Sequence, residues 1–205
     1  APRRGKRLEM IDGLTFDEES HTYRFKGGKV PGVTSVLEDV GISDFSMVSQ
    51  EVLAQAQALG TEVHKLIEDS NKSENVNECS DEAMSRLLQY DQFVHDFGLE
   101  VIESEVKLFS DKYMYAGTCD LICKLKKIGD GPVLIDFKTG SPTISHKVQT
   151  AAYEYAYKKD KRSKMDRYTL YLSRDGYKLS EPYKSRQDFD VFLSALTIYN
   201  YKRGK

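Results

Sequence analysis

The chain has 205 residues, is 40% hydrophobic and 30% charged, and carries a formal net charge of −2. That length suits one domain with a sizeable core, and the composition excludes a disordered or collagen-like chain. The near-neutral balance excludes a globally basic nucleic-acid binder, so any nucleic acid must be met by local patches.

The start, Ala1 to Arg7, is basic but leads into no apolar signal core. No apolar run reaches the ~18 residues that cross a bilayer. An intracellular protein is expected, in the cytoplasm or nucleoid, or in the host cytoplasm if viral. Residues 13–31 alternate and turn, which predicts a small β-hairpin around Gly27-Gly28. A short helix should start at Val33, with Thr34 or Ser35 near its N-terminus. Residues 46–69 predict a long helix with an apolar stripe of Val52, Ala56, Leu59, Val63 and Leu66-Ile67. Gly60 interrupts it at a cost of about 1 kcal/mol against alanine. Close approach of another backbone or of a substrate would explain that cost. His64 shares its face.

Residues 70–80 read as an exposed polar loop. Ser80 then caps a helix that Gly98 ends. From Leu99 the period changes from 3.6 to 2. Strands are expected at 100–109, 113–125 and 133–138, with Lys126 to Pro132 as a turn. A helix over 144–158 follows the break at Gly140-Ser-Pro142. A strand over 168–173, a short strand from Tyr177 to Tyr183, and a closing amphipathic helix over 186–202 complete the chain. This order predicts an α/β fold, a mixed sheet flanked by helices (α+β in the looser sense), with no internal repeat.

Basic patches are available at Arg3 to Arg7, Lys124 to Lys127, Lys158 to Lys164, and Lys202, Arg203 and Lys205. Each is an ordinary solvated face or a contact for nucleic acid. Cys119 and Cys123 flank Asp120 four residues apart. They do not make a two-bridge framework or a four-ligand metal set, so they read as core thiols.

The chemistry gathers between Tyr115 and Tyr153. Asp136 and Lys138 lie two apart on one strand and so share a face. The preceding Val133-Leu-Ile implies a buried strand, where an acid is disfavoured. Asp120 sits in the strand before. Two carboxylates ~4 Å apart repel by ~4 kcal/mol at an effective dielectric of 20. A hard dication such as Mg²⁺ removes that penalty and activates water against a phosphoryl group. Lys138 would orient or deprotonate that water, and the Phe137 carbonyl is a further candidate ligand. The plainer alternative is a structural Asp–Lys pair on an exposed strand. Glu105 is a possible outer carboxylate or a solvated strand residue. Thr139 is a candidate substrate contact. His146 reads as a helix-start residue. Tyr113, Tyr115, Tyr155 and Tyr157 are either core residues or platforms for bases.

Four blocks in order, Gly60-Thr-Glu-Val-His64, Gly117-Thr-Cys-Asp120, Ile135-Asp136-Phe-Lys138-Thr-Gly140 and Gln149-Thr-Ala-Ala-Tyr153, resemble the PD-(D/E)XK nucleases. They are similar to the RecB-like branch of phage exonucleases and mitochondrial genome maintenance exonucleases. The resemblance covers about residues 60 to 155. The proline of the family name is absent, since Cys119 precedes Asp120. The cysteine cluster of the iron–sulfur members is missing too, so no such cluster is expected.

The resemblance implies a restriction-endonuclease-like core with an N-terminal helical region. Residues 1–205 would be one nuclease domain, with a hairpin and helical wall over 1–98 and a catalytic core over 99–205. It implies Asp120, Asp136 and Lys138 as the catalytic set, His64 as a further metal ligand, and Gln149 and Tyr153 at the substrate strand or the lysine. The expected activity is an Mg²⁺- or Mn²⁺-dependent deoxyribonuclease. It would be an exonuclease on single strands or DNA ends that works with recombination or replication proteins and away from membranes. A structure- or sequence-specific endonuclease, and an idle nucleic-acid-binding module, are the alternatives.

Overall fold

The computed structural model describes residues 11–17, 20–72, 78–158 and 165–204. The basic runs at Arg3 to Arg7 and beyond Lys158, Lys205, and most of the polar loop after Lys72 lie outside them. No helix of the described residues is long and apolar enough to cross a membrane.

The expected hairpin is a three-stranded antiparallel sheet: β1 (Leu14–Asp17), β2 (Thr22–Phe25) and β3 (Gly28–Val30). Its second turn is centred on Lys26 and Gly27, at φ 48° and 83°. A two-residue loop with both φ positive matches strand twist, so the turn sits one residue earlier than Gly27-Gly28. This sheet is fastened to the main body. Phe25 stacks on Phe109 with centroids 4.2 Å apart, and Ala116 N donates to Pro31 O at 2.9 Å.

Helix α1 (Val33–Asp39) buries Val33, Val36 and Leu37. Helix α2 runs Gln50–Lys72 but buries only Val63, Leu66, Ile67 and Asp69. Val52, expected on the buried stripe, is 55% exposed, as are Phe45, Met47 and Val48 in large part. The first half of α2 therefore packs on little. At Gly60 an added Cβ would meet only Thr139 Oγ1, at 3.8 Å. That is ordinary contact, so no backbone approach among the described residues explains the glycine. Helix α3 (Asp81–Phe97) is capped as expected: Ser80 Oγ accepts from Ala83 N at 3.2 Å, and Gly98 stands at φ 60°.

The main sheet has the order β4-β5-β6-β7-β8: β4 (Leu99–Ser110), β5 (Tyr115–Leu125), β6 (Gly129–Lys138), β7 (Asp166–Leu172) and β8 (Tyr177–Leu179). Among these neighbouring strands β6 and β7 run parallel, linked over helix α4 (Ile144–Tyr157), and the other pairs are antiparallel. Gly129 to Pro132, read as turn, extends β6, and β8 stops four residues short of Tyr183. Helix α5 (Gln187–Tyr201) closes the chain.

The fold is thus a mixed α/β structure with a five-stranded sheet between two helical layers. On one side Ile122 and Leu134 pack with residues of α1, α4 and α5. On the other Leu121, Ile135 and Phe137 pack with α2 and α3. Both faces of β5 and β6 are covered, which is why Val133 to Phe137 read as a continuous apolar run.

The tyrosines offered as base platforms are structural. Tyr155 stacks on Phe189 at 4.2 Å, Tyr113 meets both rings, Tyr115 donates to Ala152 O at 2.8 Å, and Tyr157 donates to Glu103 at 2.9 Å. Several charges of the described basic runs are paired locally. Lys126 pairs with Glu100 at 2.7 Å, and Lys202 and Arg203 hold Asp39 at 3.1 and 2.8 Å. A solvated lysine readily satisfies itself on the nearest acid, so a charge run in sequence need not be a patch in space. The three cysteines are free thiols, with Cys119 and Cys123 buried.

Candidate active site

The site forms where β5 and β6 part. Their ladder is regular at Cys123↔Val133, Ile122↔Leu134 and Leu121↔Ile135, and goes no further. The next residue of β5 is Asp120. Its Oδ2 accepts from Phe137 N at 2.6 Å, so a carboxylate replaces the carbonyl that a longer ladder would supply. The opening admits His64 from α2 and Gln149 from α4.

Asp120 and Asp136 are 6% and 1% exposed, and buried charges persist only when paired or neutralised. Each has its own partners. His64 Nδ1 lies 3.4 Å from Asp120 Oδ1, and His64 Nε2 lies 3.2 Å from Phe137 O. Lys138 Nζ lies 2.6 Å from Asp136 Oδ2. Gln149 Nε2 donates to Asp136 Oδ1 at 3.1 Å and to the Tyr153 hydroxyl at 2.9 Å. The structure thus brings His64, Asp120, Asp136, Phe137, Lys138, Gln149 and Tyr153 into one neighbourhood.

Gln149 and Tyr153 were expected at the substrate strand or at the lysine, and Gln149 reaches the lysine's partner Asp136. Both are buried, at 7% and 3% exposure, and Gln149 uses both amide protons inside the protein. Thr139 is half-buried, facing Gly60. His146 does open α4, accepting from Thr143 N at 3.4 Å, but it is also buried, 2.9 Å from the Tyr171 hydroxyl. Burial pushes its imidazole down to about 4, so it is neutral.

Glu105 comes closer than an outer carboxylate would. It lies on β4 between the pairs Ser104↔Leu121 and Val106↔Cys119, opposite Asp120. Its φ is 52°, a conformation that costs a non-glycine residue roughly 1–2 kcal/mol. Ligand atoms of His64, Glu105 and Asp120 all lie within 4.8 Å of one another. Carboxylate oxygens with one imidazole are a fitting donor set for a hard divalent cation. Asp136, expected as a direct ligand, stands outside this trio, held by Lys138 and Gln149. The Phe137 carbonyl engages His64 and keeps a second lone pair.

Burial raises Glu105 to about 7, with the Asp120 charge adding to it. Burial also raises Asp136 to about 6, against the pull of Lys138. At His64 burial favours the neutral ring, but the Asp120 carboxylate outweighs it and lifts the imidazole to about 9. Burial likewise opposes the Lys138 charge, and Asp136 and Asp120 raise it nonetheless. Lys138 is therefore a cation at neutral pH in the metal-free protein.

These shifts have one sign. Glu105, Asp136 and His64 all titrate above their ordinary values in the folded protein. Each contributes stability that is complete below its ordinary value and lost as pH rises through the raised one. Asp120, which is lowered, acts only at more acid pH. The metal-free protein should therefore melt at progressively lower temperature from about pH 5 to about pH 9. A divalent cation needs these carboxylates ionised, so Mn²⁺ should raise the melting temperature more at about pH 8 than at about pH 5. Thermal unfolding in chelator and in Mn²⁺ across that range checks both. A metal-free melting temperature that climbs with pH would contradict the assignment of the shifts.

One further residue of the site lies inside the Gly117-to-Asp120 block. A Cβ on Gly117 would stand 2.6 Å from the Tyr153 ring and 3.3 Å from Val33. The glycine lets Tyr153 pack close against β5, where its hydroxyl accepts from Gln149. Gly117→Ala should cost about 1–3 kcal/mol by overpacking. It should also lower any activity that depends on Asp136 by tenfold or more, since Tyr153, Gln149 and Asp136 form one chain. Urea unfolding and a rate measurement on the same preparation separate the two effects.

No protein-family model matches the chain, and no curated protein matches it. Among solved structures it is similar to SSO0001, with a TM-score of 0.43 and 17% identity over 80% of this chain and 71% of that one. It is also similar to the alkaline exonuclease LHK-Exo from Laribacter hongkongensis, with a TM-score of 0.45 and 11% identity over 83% and 86%. The complex of LHK-Exo with dAMP gives 0.44 and 11% over 84% and 87%.

Proposed function

We propose that the chain is a metal-dependent deoxyribonuclease of the PD-(D/E)XK kind, RecB-like branch, acting as an exonuclease on single strands or DNA ends. The observation that carries this is the trio of His64, Glu105 and Asp120 ligand atoms within 4.8 Å of one another, beside the buried Asp136–Lys138 pair. The order of the four sequence blocks supports the same reading.

His64, Glu105 and Asp120 would hold an Mg²⁺ or Mn²⁺ ion, with the Phe137 carbonyl and Asp136 next to it. Such an ion supplies Lewis acidity toward a phosphoryl oxygen and makes water more acidic. In the hydrolysis, a water oxygen bonds to phosphorus and the phosphorus–oxygen ester bond breaks, leaving a phosphomonoester and a hydroxyl. Lys138, cationic and pointing at Asp136, would stabilise charge growing on the phosphoryl oxygens. Asp136 fixes that lysine and is itself fixed by Gln149. Gln149 and Tyr153 are positioning residues here, since Gln149 holds Asp136 and the Tyr153 hydroxyl accepts from Gln149. Thr139, at the exit of β6, would border the strand.

The direct test is digestion of linear DNA labelled at either end, alongside supercoiled circular DNA, in Mg²⁺. An exonuclease shortens the linear strands and leaves the circle intact. Nicking of the circle would replace the exonuclease reading with an endonuclease, and binding without cleavage would replace it with an idle module.

A further inference from the structure

Beyond the cation trio, the same sheet face continues. Glu105 and Lys107 lie two apart on β4, Thr118 and Asp120 two apart on β5, and Lys107 pairs with Thr118 in the register. Lys107 Nζ donates to Thr118 Oγ1 at 3.1 Å. Thr118 Oγ1 is also 2.7 Å from the Tyr23 hydroxyl. Lys107 Nζ lies 4.4 Å above the Phe16 ring, which is itself 4.5 Å from the ring of Tyr23. The N-terminal sheet thus reaches over the main sheet at this point and fixes one lysine. Among the described residues no carboxylate forms an ion pair with Lys107, whereas Lys65, Lys72, Lys126 and Lys158 are each paired.

We infer that Lys107 and Thr118, braced by Tyr23 and Phe16, form a phosphate subsite for a nucleic-acid strand, one nucleotide along from the cation trio. This rests on the nuclease reading for its neighbour but not for its own chemistry. An ammonium has three donors, and Thr118 takes one. Two remain for phosphate oxygens, and an aromatic face beneath holds the charge by ~0.5–1 kcal/mol at an exposed site. The step from the Glu105–Asp120 pair to the Lys107–Thr118 pair is two residues of strand, about 7 Å. That suits successive phosphates of an extended single strand. Placing a cation here also offsets the acidity of Glu105 and Asp120, which would otherwise repel the backbone. The N-terminal sheet then serves as the brace of a binding subsite rather than as a passive wall.

The test measures binding and cleavage separately. Anisotropy of a short fluorescein-labelled single-stranded oligodeoxynucleotide is titrated in Ca²⁺ at several salt concentrations with wild type, Lys107→Ala, Lys107→Arg and Lys126→Ala. Lys126→Ala removes the same charge from the turn after β5, where Lys126 pairs with Glu100 near the start of β4. Cleavage in Mg²⁺ is then measured. Lys107→Ala should weaken binding about tenfold and reduce the salt slope by about one. Lys107→Arg should restore most of the binding, Lys126→Ala should stay within about twofold of wild type, and the cleavage loss should fall in KM rather than kcat. Lys107→Ala binding like wild type, from a protein that cleaves, overturns the subsite and leaves the nuclease reading standing. Lys107-dependent binding without cleavage upholds the subsite and overturns the nuclease reading. A wild type that neither binds nor cleaves overturns both.

Discussion

Lys138→Ala should lower the rate of phosphodiester cleavage by about 10²–10³-fold, mostly in kcat, the loss expected when one preorganised charge at a reacting oxygen is removed. The fold should survive, because Asp136 already sits near the protonation threshold: burial raises it to about 6. Without the ammonium at 2.6 Å it can take up a proton instead of remaining an unpaired buried charge. Lys138→Arg should recover part of the rate, since the charge returns on a bulkier, planar group. Single-turnover digestion of labelled DNA, with circular dichroism on the same proteins, reads both effects. Wild-type kcat from a folded Lys138→Ala protein would remove the lysine from the chemistry.

The second large effect is on stability. Arg167→Met should destabilise the protein by about 3–5 kcal/mol, as breaking one side of a buried ion pair does. Arg167 is 2% exposed and fully engaged. Its Nε lies 3.0 Å from Glu154, its Nη2 lies 3.0 Å from Asp188, and it donates to Lys147 O at 2.8 Å and Ser185 O at 3.0 Å. It ties β7 to α4 and to the start of α5. Removing it leaves Asp188, 5% exposed, with Lys147 at 4.0 Å as its one remaining ion-pair partner among the described residues. A domain of this size loses roughly 2–4 °C per kcal/mol, so calorimetry should show a fall of about 10 °C. Asp188→Asn added to Arg167→Met should recover part of the loss, because the stranded charge is gone. A double variant as unstable as the sum of the two singles would refute the pairing.

Much of the architecture was legible because local rules agreed. Ser80 and Gly98 bracket α3 as a cap and a left-handed stop, and the change of period at Leu99 marks the first long strand. The two-residue spacing of Asp136 and Lys138 is enough to put them on one face. Strand ends were less legible, since Gly129 to Pro132 carries turn residues that β6 nevertheless pairs. The stripe on α2 misled over Val52, because periodicity shows which face is apolar but not whether anything covers it.

At the site, the limits came from register and burial. Glu105 reads as one more charge on a strand. Its approach depends on facing Asp120 across the β4–β5 ladder and on a positive φ, neither of which local sequence encodes. Lys107 gains its place from a pairing with Thr118 and from an N-terminal sheet some ninety residues earlier. Gly117 drew no separate reading within its block, and the Tyr153 ring lying against it shows why a Cβ is excluded. Gln149 and Tyr153 were correctly on one helical face, but their burial, which turns them toward Asp136, is a tertiary fact.

The most direct measurement is the rate at which wild type and Asp120→Asn shorten an end-labelled single-stranded oligodeoxynucleotide, each with Mg²⁺ and with chelator, at matched folded concentrations. Asp120 touches His64, Phe137 and the Glu105 side of the site, so it is the residue common to every contact proposed for the cation. The expected result is shortening by wild type in Mg²⁺ alone, with a loss of at least about 10²-fold in a folded Asp120→Asn protein. Shortening that survives chelator, or a folded Asp120→Asn protein as fast as wild type, would contradict a cation-dependent nuclease site at this place in the fold.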